Sequence, residues 1–149
     1  TMHKVAEEVA ASVHVPLLHI ADATFDALQK RAIHCVGLLG TKYTMQQDFI
    51  KEKLKKRGLE VLVPESEDME MINSVIFNEL CVGKILPESK EKFLKVIEKL
   101  KAQGAEGVIL GCTEIGLLIK QADTDLPVVD TTEIHAKAAF DFALASESA

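Results

Sequence analysis

Three thiols, five imidazoles and one threonine-bearing loop are the groups in this 149-residue sequence that could do chemistry. Cys112 ends the apolar run AEGVILGC, and Thr113 and Glu114 follow it directly. If that run is a strand and TEIGLLIKQ a helix, the thiol stands at a helix N-terminus. Unpaired N–H groups and the positive end of the helix dipole would then favour thiolate, below the ~8.5 of a free cysteine. A lone cysteine can equally be a small packing residue, and its place at a strand end is what singles out Cys112. Cys35 precedes its own apolar run, so it belongs at the opposite edge of a parallel sheet. Cys81 falls near a helix end, and packing is the expectation for both. Gly40-Thr41-Lys42-Tyr43-Thr44 joins a strand to a helix. The Thr41 and Thr44 hydroxyls, with helix N–H groups, could hold a carboxylate or phosphate; plain N-capping by Thr44 is the competing reading.

The elements that must position these groups follow from hydrophobic periodicity. Residues 2–13 read as a helix, 15–20 (VPLLHI) as a buried strand and 21–31 as a second helix. CVGLLG (35–40) is a short apolar run stopped by glycine, hence a strand. Thr44 to Gln47 has capping-box spacing, and Gly58 ends the helix that follows. LEVLVP (59–64) is a strand. Met69, Ile72, Ile76 and Leu80 share a helix face, and a helix over 89–103 closes at Gly104. Residues 105–112 and 126–130 are the last strands, with Asp130 as cap of a terminal helix. Strands alternating with helices imply a parallel α/β sheet. The expected order is 59–64, 35–40, 105–112, 126–130. Ligands of such sheets bind beyond the strand C-termini where strand order reverses, here Gly40-Thr41 beside Gly111-Cys112.

Other classes find little support. The net charge is −6 and the basic residues form no stripe, which argues against nucleic acid. No run approaches the ~20 apolar residues of a membrane span. Three cysteines without CxxC spacing suit a reducing, cytoplasmic setting better than a disulfide framework. The histidines form no HExxH and no Cys/His cluster, so no metal site is expected, and His3, His19 and His135 read as hydrogen-bonded structural residues. There is no GxGxxG and no GxxxxGK. The two loop threonines are faintly similar to a flavodoxin phosphate loop, a minor alternative.

GCTE (111–114) within GVILGCTEIGLLI resembles the aspartate/glutamate racemase family. The resemblance continues through VGLLGTKYTM (36–45) and LPVVDTTEIHA (126–136). TMHKVAEEV (1–9) is similar to the family segment that follows its first catalytic cysteine, in a Cys-x-Asn-Thr-Met-His-Lys pattern. The resemblance implies a Rossmann-like α/β racemase fold of two pseudo-symmetric domains, the first only partly present. Residues 1–32 would be its remnant, 33–131 the second domain with a four-stranded parallel sheet, and 132–149 a terminal helix returning to the first. It implies cofactor-independent racemisation of aspartate or glutamate by two thiols on opposite faces of the α-carbon, in a homodimer. Cys112 would be the second thiol and Glu114 its tuning or relay group; Thr1, Thr41, Thr44 and Thr113 would line the substrate carboxylates. The first cysteine would precede Thr1, so the 149-residue chain alone is expected not to racemise. The alternatives are an isomerase or decarboxylase of the same superfamily using one cysteine, and a non-catalytic dicarboxylate binder.

Overall fold

The computed structural model describes residues 2–146. A 3-10 turn (Met2–Val5) leads into α1 (Ala6–Ser12) and α2 (Ile20–Gln29). Then come β1 (Cys35–Leu39), α3 (Lys42–Gln46), α4 (Asp48–Lys55) and β2 (Glu60–Leu62). Next are α5 (Ser66–Asn78), α6 (Pro87–Ala102) and β3 (Gly107–Leu110). The one-turn α7 (Ile115–Leu118), β4 (Val128–Asp130) and α8 (Thr131–Ser146) are the last described elements. The strands form one sheet in the order β2-β1-β3-β4, every pairing parallel, as the apolar runs predict.

Strand alternation divides the core between the two faces of the sheet. Leu39, Val108 and Leu110 point to one face, under Ile72 and Ile76 of α5, Phe93, Ile97 and Leu100 of α6, and Ile115 of α7. Val36, Leu38, Ile109 and Val129 point to the other, under Ala21, Phe25 and Leu28 of α2 and Leu54 of α4. The α2 helix also packs against α8. Gly58 (φ 93°) and Gly104 (φ 107°) lie in the left-handed region and stop α4 and α6 as the sequence suggests.

Four expectations are corrected. Residues 15–20 are not a strand: Val15 is 68% exposed, and His19 caps α2 by accepting the Ala21 N–H at 3.0 Å. The helix expected from Thr44 to Gly58 is two helices, parted where Gln47 turns extended (ψ 156°). Thr41 rather than Thr44 is the N-cap, because α3 begins three residues earlier than its capping-box spacing suggests. The helix after Cys112 shrinks to α7, ending where Ile119 becomes extended.

Three histidines tie the N-terminal segment and α8 to α2. The His3 ring lies 4.7 Å from that of His19 and 5.6 Å from that of His135. His135 Nε2 is 2.8 Å from the Leu18 carbonyl oxygen, and since a carbonyl can only accept, Nε2 carries the proton. Burial, then the neighbouring His19 and His135, hold the His3 pKa down at about 4. His19 is lowered as well, by burial first and then by Lys53, with Asp22 opposing. An imidazole lowered in the fold binds its proton more readily when unfolded. Stability is therefore full above the unfolded value of ~6.5 and falls as pH drops from there towards 4. Urea unfolding at pH 7.5, 6 and 5 should show this loss, and His3→Gln should flatten it. An unchanged slope in that variant would remove His3 as its source.

Candidate active site

The site is built where β1 and β3 end side by side. Leu39 stands opposite Leu110. Beyond them the Gly111 N–H donates to the Leu39 carbonyl at 2.6 Å. A Cβ on Gly111 would fall 2.9 Å from that carbonyl oxygen, and one on Gly40 would fall 3.2 Å from the Thr44 side chain. The two glycines thus let the threonine loop and the Cys112 loop sit against each other.

In the threonine loop, the Thr41 hydroxyl oxygen accepts the Thr44 N–H at 3.3 Å. The two hydroxyls lie 3.1 Å apart. A hydroxyl has one proton, so when one threonine donates to the other, the acceptor's own proton remains available for a further partner. Asn73 of α5, a residue the sequence reading did not single out, accepts the Lys42 N–H at 2.8 Å, and Lys42 pairs with Glu70 one turn away on the same helix.

Across the strand ends, the half-buried Cys112 thiol donates to Glu114 Oε2 at 2.9 Å, and the Thr113 hydroxyl donates to the same oxygen at 2.7 Å. These bonds hold the Glu114 carboxyl below its ordinary pKa, that from Cys112 first and that from Thr113 second. The thiol moves the other way. Burial, followed by its bond to the Glu114 carboxylate, pushes Cys112 up to about 12. This reverses the depressed value expected from the sequence. With only a four-residue α7 starting three positions later, the helix field is too weak to offset desolvation and an adjacent anion. The Glu114 backbone N–H opposes this shift by favouring the thiolate. At neutral pH the thiol of the free protein is therefore protonated, the form of a proton donor.

Glu114→Gln removes the anion, so Cys112 becomes more acidic. Each pKa unit raises the thiolate fraction about tenfold, partly offset because a less basic thiolate is a weaker nucleophile. Iodoacetamide labelling of Cys112 at pH 8 should accelerate by roughly threefold to tenfold. Unchanged or slower labelling would mean that Glu114 does not hold the thiol proton.

Thr41, Thr44 and Cys112 are thus brought to one end of the sheet, and Glu114 is bonded to the thiol. Thr113 is exposed and turned onto Glu114; among the described residues no hydrogen bond joins it to Thr41 or Thr44. Thr1 lies outside the described residues. Cys35 is at the opposite edge, paired with Glu60, and burial raises its pKa. A small cavity of about 70 Å³ is bounded by His3, Thr24, Thr44, Gly111 and Thr131. Thr131 is anchored there by donating to the Leu110 carbonyl at 2.8 Å. Asp130 beside it accepts the N–H groups of Thr132 (2.8 Å) and Glu133 (3.4 Å), capping α8. A wider groove of about 320 Å³, along Pro64, Asp68 and Lys99, contains none of these groups. Its Lys99 and Asp68 satisfy each other at 2.7 Å, leaving nothing aimed at a reacting atom. Among the described residues no group of three or more His, Cys, Asp or Glu is arranged to hold a metal ion, and no helix is long and apolar enough to cross a membrane.

The sequence profile of the Asp/Glu/Hydantoin racemases matches residues 1–139. The chain is 25% identical over 148 residues to the broad specificity amino-acid racemase RacX of Bacillus subtilis (strain 168), covering 99% of this chain and 63% of that protein. A Yersinia pestis crystal structure, described as a candidate Asp/Glu racemase, superposes with a TM-score of 0.92 at 50% identity, over 96% of this chain and 63% of the other. An aspartate racemase homologue from Pyrococcus horikoshii OT3 gives a TM-score of 0.90 at 43% identity, over 95% and 62% of the two chains. The chain spans less than two thirds of the length of each of these relatives.

Proposed function

The chain belongs to the Asp/Glu/hydantoin racemase family, and from that premise we propose that it carries one catalytic half of a cofactor-independent racemase of aspartate or glutamate. The observation that carries this reading is the Cys112 thiol bonded to Glu114 at the end of β3, beside the threonine loop at the end of β1. The amino-acid racemase among its relatives, and the aspartate racemase homologue, support the reaction class and the substrate.

Racemisation moves a proton off one face of a carbon and puts one on the other, so it needs an acid and a base on opposite sides. In this proposal Cys112 serves one side. A second thiol, supplied by residues that precede Thr1 in the whole protein, serves the other. In one direction the opposite thiolate takes the α-proton while Cys112 gives its own proton to the other face. Cys112 is left as thiolate and the opposite group as thiol. The reverse direction exchanges these roles, and the reaction consumes nothing. Between turnovers the Cys112 thiolate regains its proton from solvent, and the ionised Glu114 accepts the hydrogen bond of the restored thiol and orients it. When Cys112 acts as base, the substrate ammonium beside it lowers its pKa, since a nearby cation favours thiolate. Hydroxyls of Thr41 and Thr44, with Thr1 and with Thr113 once its proton turns from Glu114, hold the two carboxylates and stabilise charge that develops on the α-carboxylate. In the same proposal residues 33–131 form one domain, one face of whose sheet is covered by α2, and the segments on either side of it lead to the domain that faces it.

A site that grips two carboxylates must discriminate by charge. Calorimetric titration of the full-length protein should give binding of aspartate or glutamate at least about tenfold tighter than alanine, or ~1.4 kcal/mol. Equal affinity for all three would sink the dicarboxylate reading.

A further inference from the structure

The threonine loop does not hold itself in place. Its helix α3 is only five residues long, and isolated helices of that length are not stable. Of the first N–H groups of α3, that of Thr44 is capped from within the loop by Thr41, while that of Lys42 is taken from outside by Asn73. Asn73 sits five residues before the end of the thirteen-residue α5, between core residues Ile72 and Val75. An asparagine inside a helix costs propensity because its side chain competes for nearby backbone. Here its amide oxygen instead reaches a backbone 31 residues away in sequence, at 2.8 Å. The bond anchors the loop to a helix that is itself packed into the core.

We propose that Asn73 is a positioning residue of the active site: by holding the Lys42 N–H it fixes the Thr41–Thr44 loop in the geometry that receives a substrate carboxylate. The proposal rests on the racemase reading of that loop. Asn73 itself touches no substrate and moves no proton. Its loss should therefore weaken substrate binding and leave the chemical step almost untouched.

The partner of Asn73 is a backbone group, which permits a specific test. Thr41 has φ −62° and ψ 155°, the conformation preferred before proline. Lys42 is the first residue of α3, the position where proline is best tolerated in a helix. Lys42→Pro therefore deletes the donor while respecting the backbone. Lys42→Ala keeps the donor and loses only the exposed pair with Glu70.

In the full-length protein, Asn73→Ala should raise KM for aspartate or glutamate about fivefold or more, with kcat changed less than twofold. Asn73→Ala should have the same effect in the Lys42→Ala background and none in the Lys42→Pro background. The Lys42 amide should also exchange with deuterated water at least about tenfold faster in Asn73→Ala, a readout that needs no substrate. Unchanged KM in Asn73→Ala, or an equal effect in both backgrounds, would overturn the proposal. A merely structural role would lower the melting temperature without moving KM. If Asn73→Ala does not fold, a raised KM in Lys42→Pro with normal KM in Lys42→Ala supports the proposal, and equal KM values overturn it. Fast Lys42 exchange in a protein that turns over neither amino acid would keep the clamp and sink the racemase reading instead.

Discussion

Cys112→Ala in the full-length protein should lower the rate of aspartate or glutamate inversion by about 10³-fold or more, while the substrate still binds. Proton transfer by a positioned group contributes typically 10²–10⁴ in rate. Its hydrogen-bonded neighbour does not replace it. Glu114 is the nearest acid, but two hydrogen bonds hold its carboxyl below the ordinary range. It is therefore ionised at neutral pH and has no proton to give. The threonine hydroxyls are far too weak as acids and bases. Thr41 and Thr44 remain in Cys112→Ala, so the change should fall on kcat rather than KM. Chiral chromatography of the products against time measures the first, and calorimetric titration measures the binding. A variant that retains a tenth of the inversion rate would remove Cys112 from the chemistry.

Gly111→Ala should be the most damaging change of a single methyl group. The added Cβ would lie 2.9 Å from the Leu39 carbonyl oxygen and 3.1 Å from Leu38 Cδ1. The side chain can turn away, but the carbonyl belongs to β1 and accepts the Gly111 N–H. The strand ends must part to make room. Overpacking of this kind costs typically about 1–3 kcal/mol. Parting the strands would also move Cys112 away from the threonine loop, so activity should fall by at least about tenfold in the molecules that remain folded. Denaturant unfolding with an assay at 15 °C checks both. Stability within 0.5 kcal/mol, a threshold at the margin of ordinary surface substitutions, together with full activity, would show that the strand ends are looser than the 2.6 Å hydrogen bond implies.

The parallel sheet was legible because each strand is a short apolar run closed by a turn residue. CVGLLG and AEGVILGC could hardly be anything else, and adjacency of their ends followed from strand order alone. The placement of Cys112 and Thr41 just beyond neighbouring strand ends was legible for the same reason. The misreadings arise where a local pattern permits two outcomes and tertiary structure chooses. VPLLHI has the composition of a strand, yet it gains no neighbour in the sheet and leaves Val15 in solvent. TEIGLLIKQ has helical spacing, but Gly116 in its middle weakens the helix. A Cβ there would lie 2.3 Å from Asp130 Oδ2, so the glycine serves the contact with the cap of α8. That shortened helix also misled the sequence reading of Cys112. Spacing reveals a helix N-terminus, whereas desolvation and the orientation of Glu114 are properties of the fold. The Asn73–Lys42 bond and the three-histidine contact join residues distant in the chain, and no periodicity announces them.

In the proposed mechanism Cys112 serves one face of the α-carbon. Stereochemically resolved proton exchange tests it most directly. D- and L-aspartate, and D- and L-glutamate, are incubated separately in deuterated water with full-length wild type and with Cys112→Ser, and α-deuterium and enantiomer are read together. Wild type should invert both enantiomers of its substrate, with deuterium in the product. Cys112→Ser should invert neither, and should exchange the α-proton of one enantiomer only, the one that faces the remaining thiol. Inversion by Cys112→Ser at a rate near that of wild type would contradict the account.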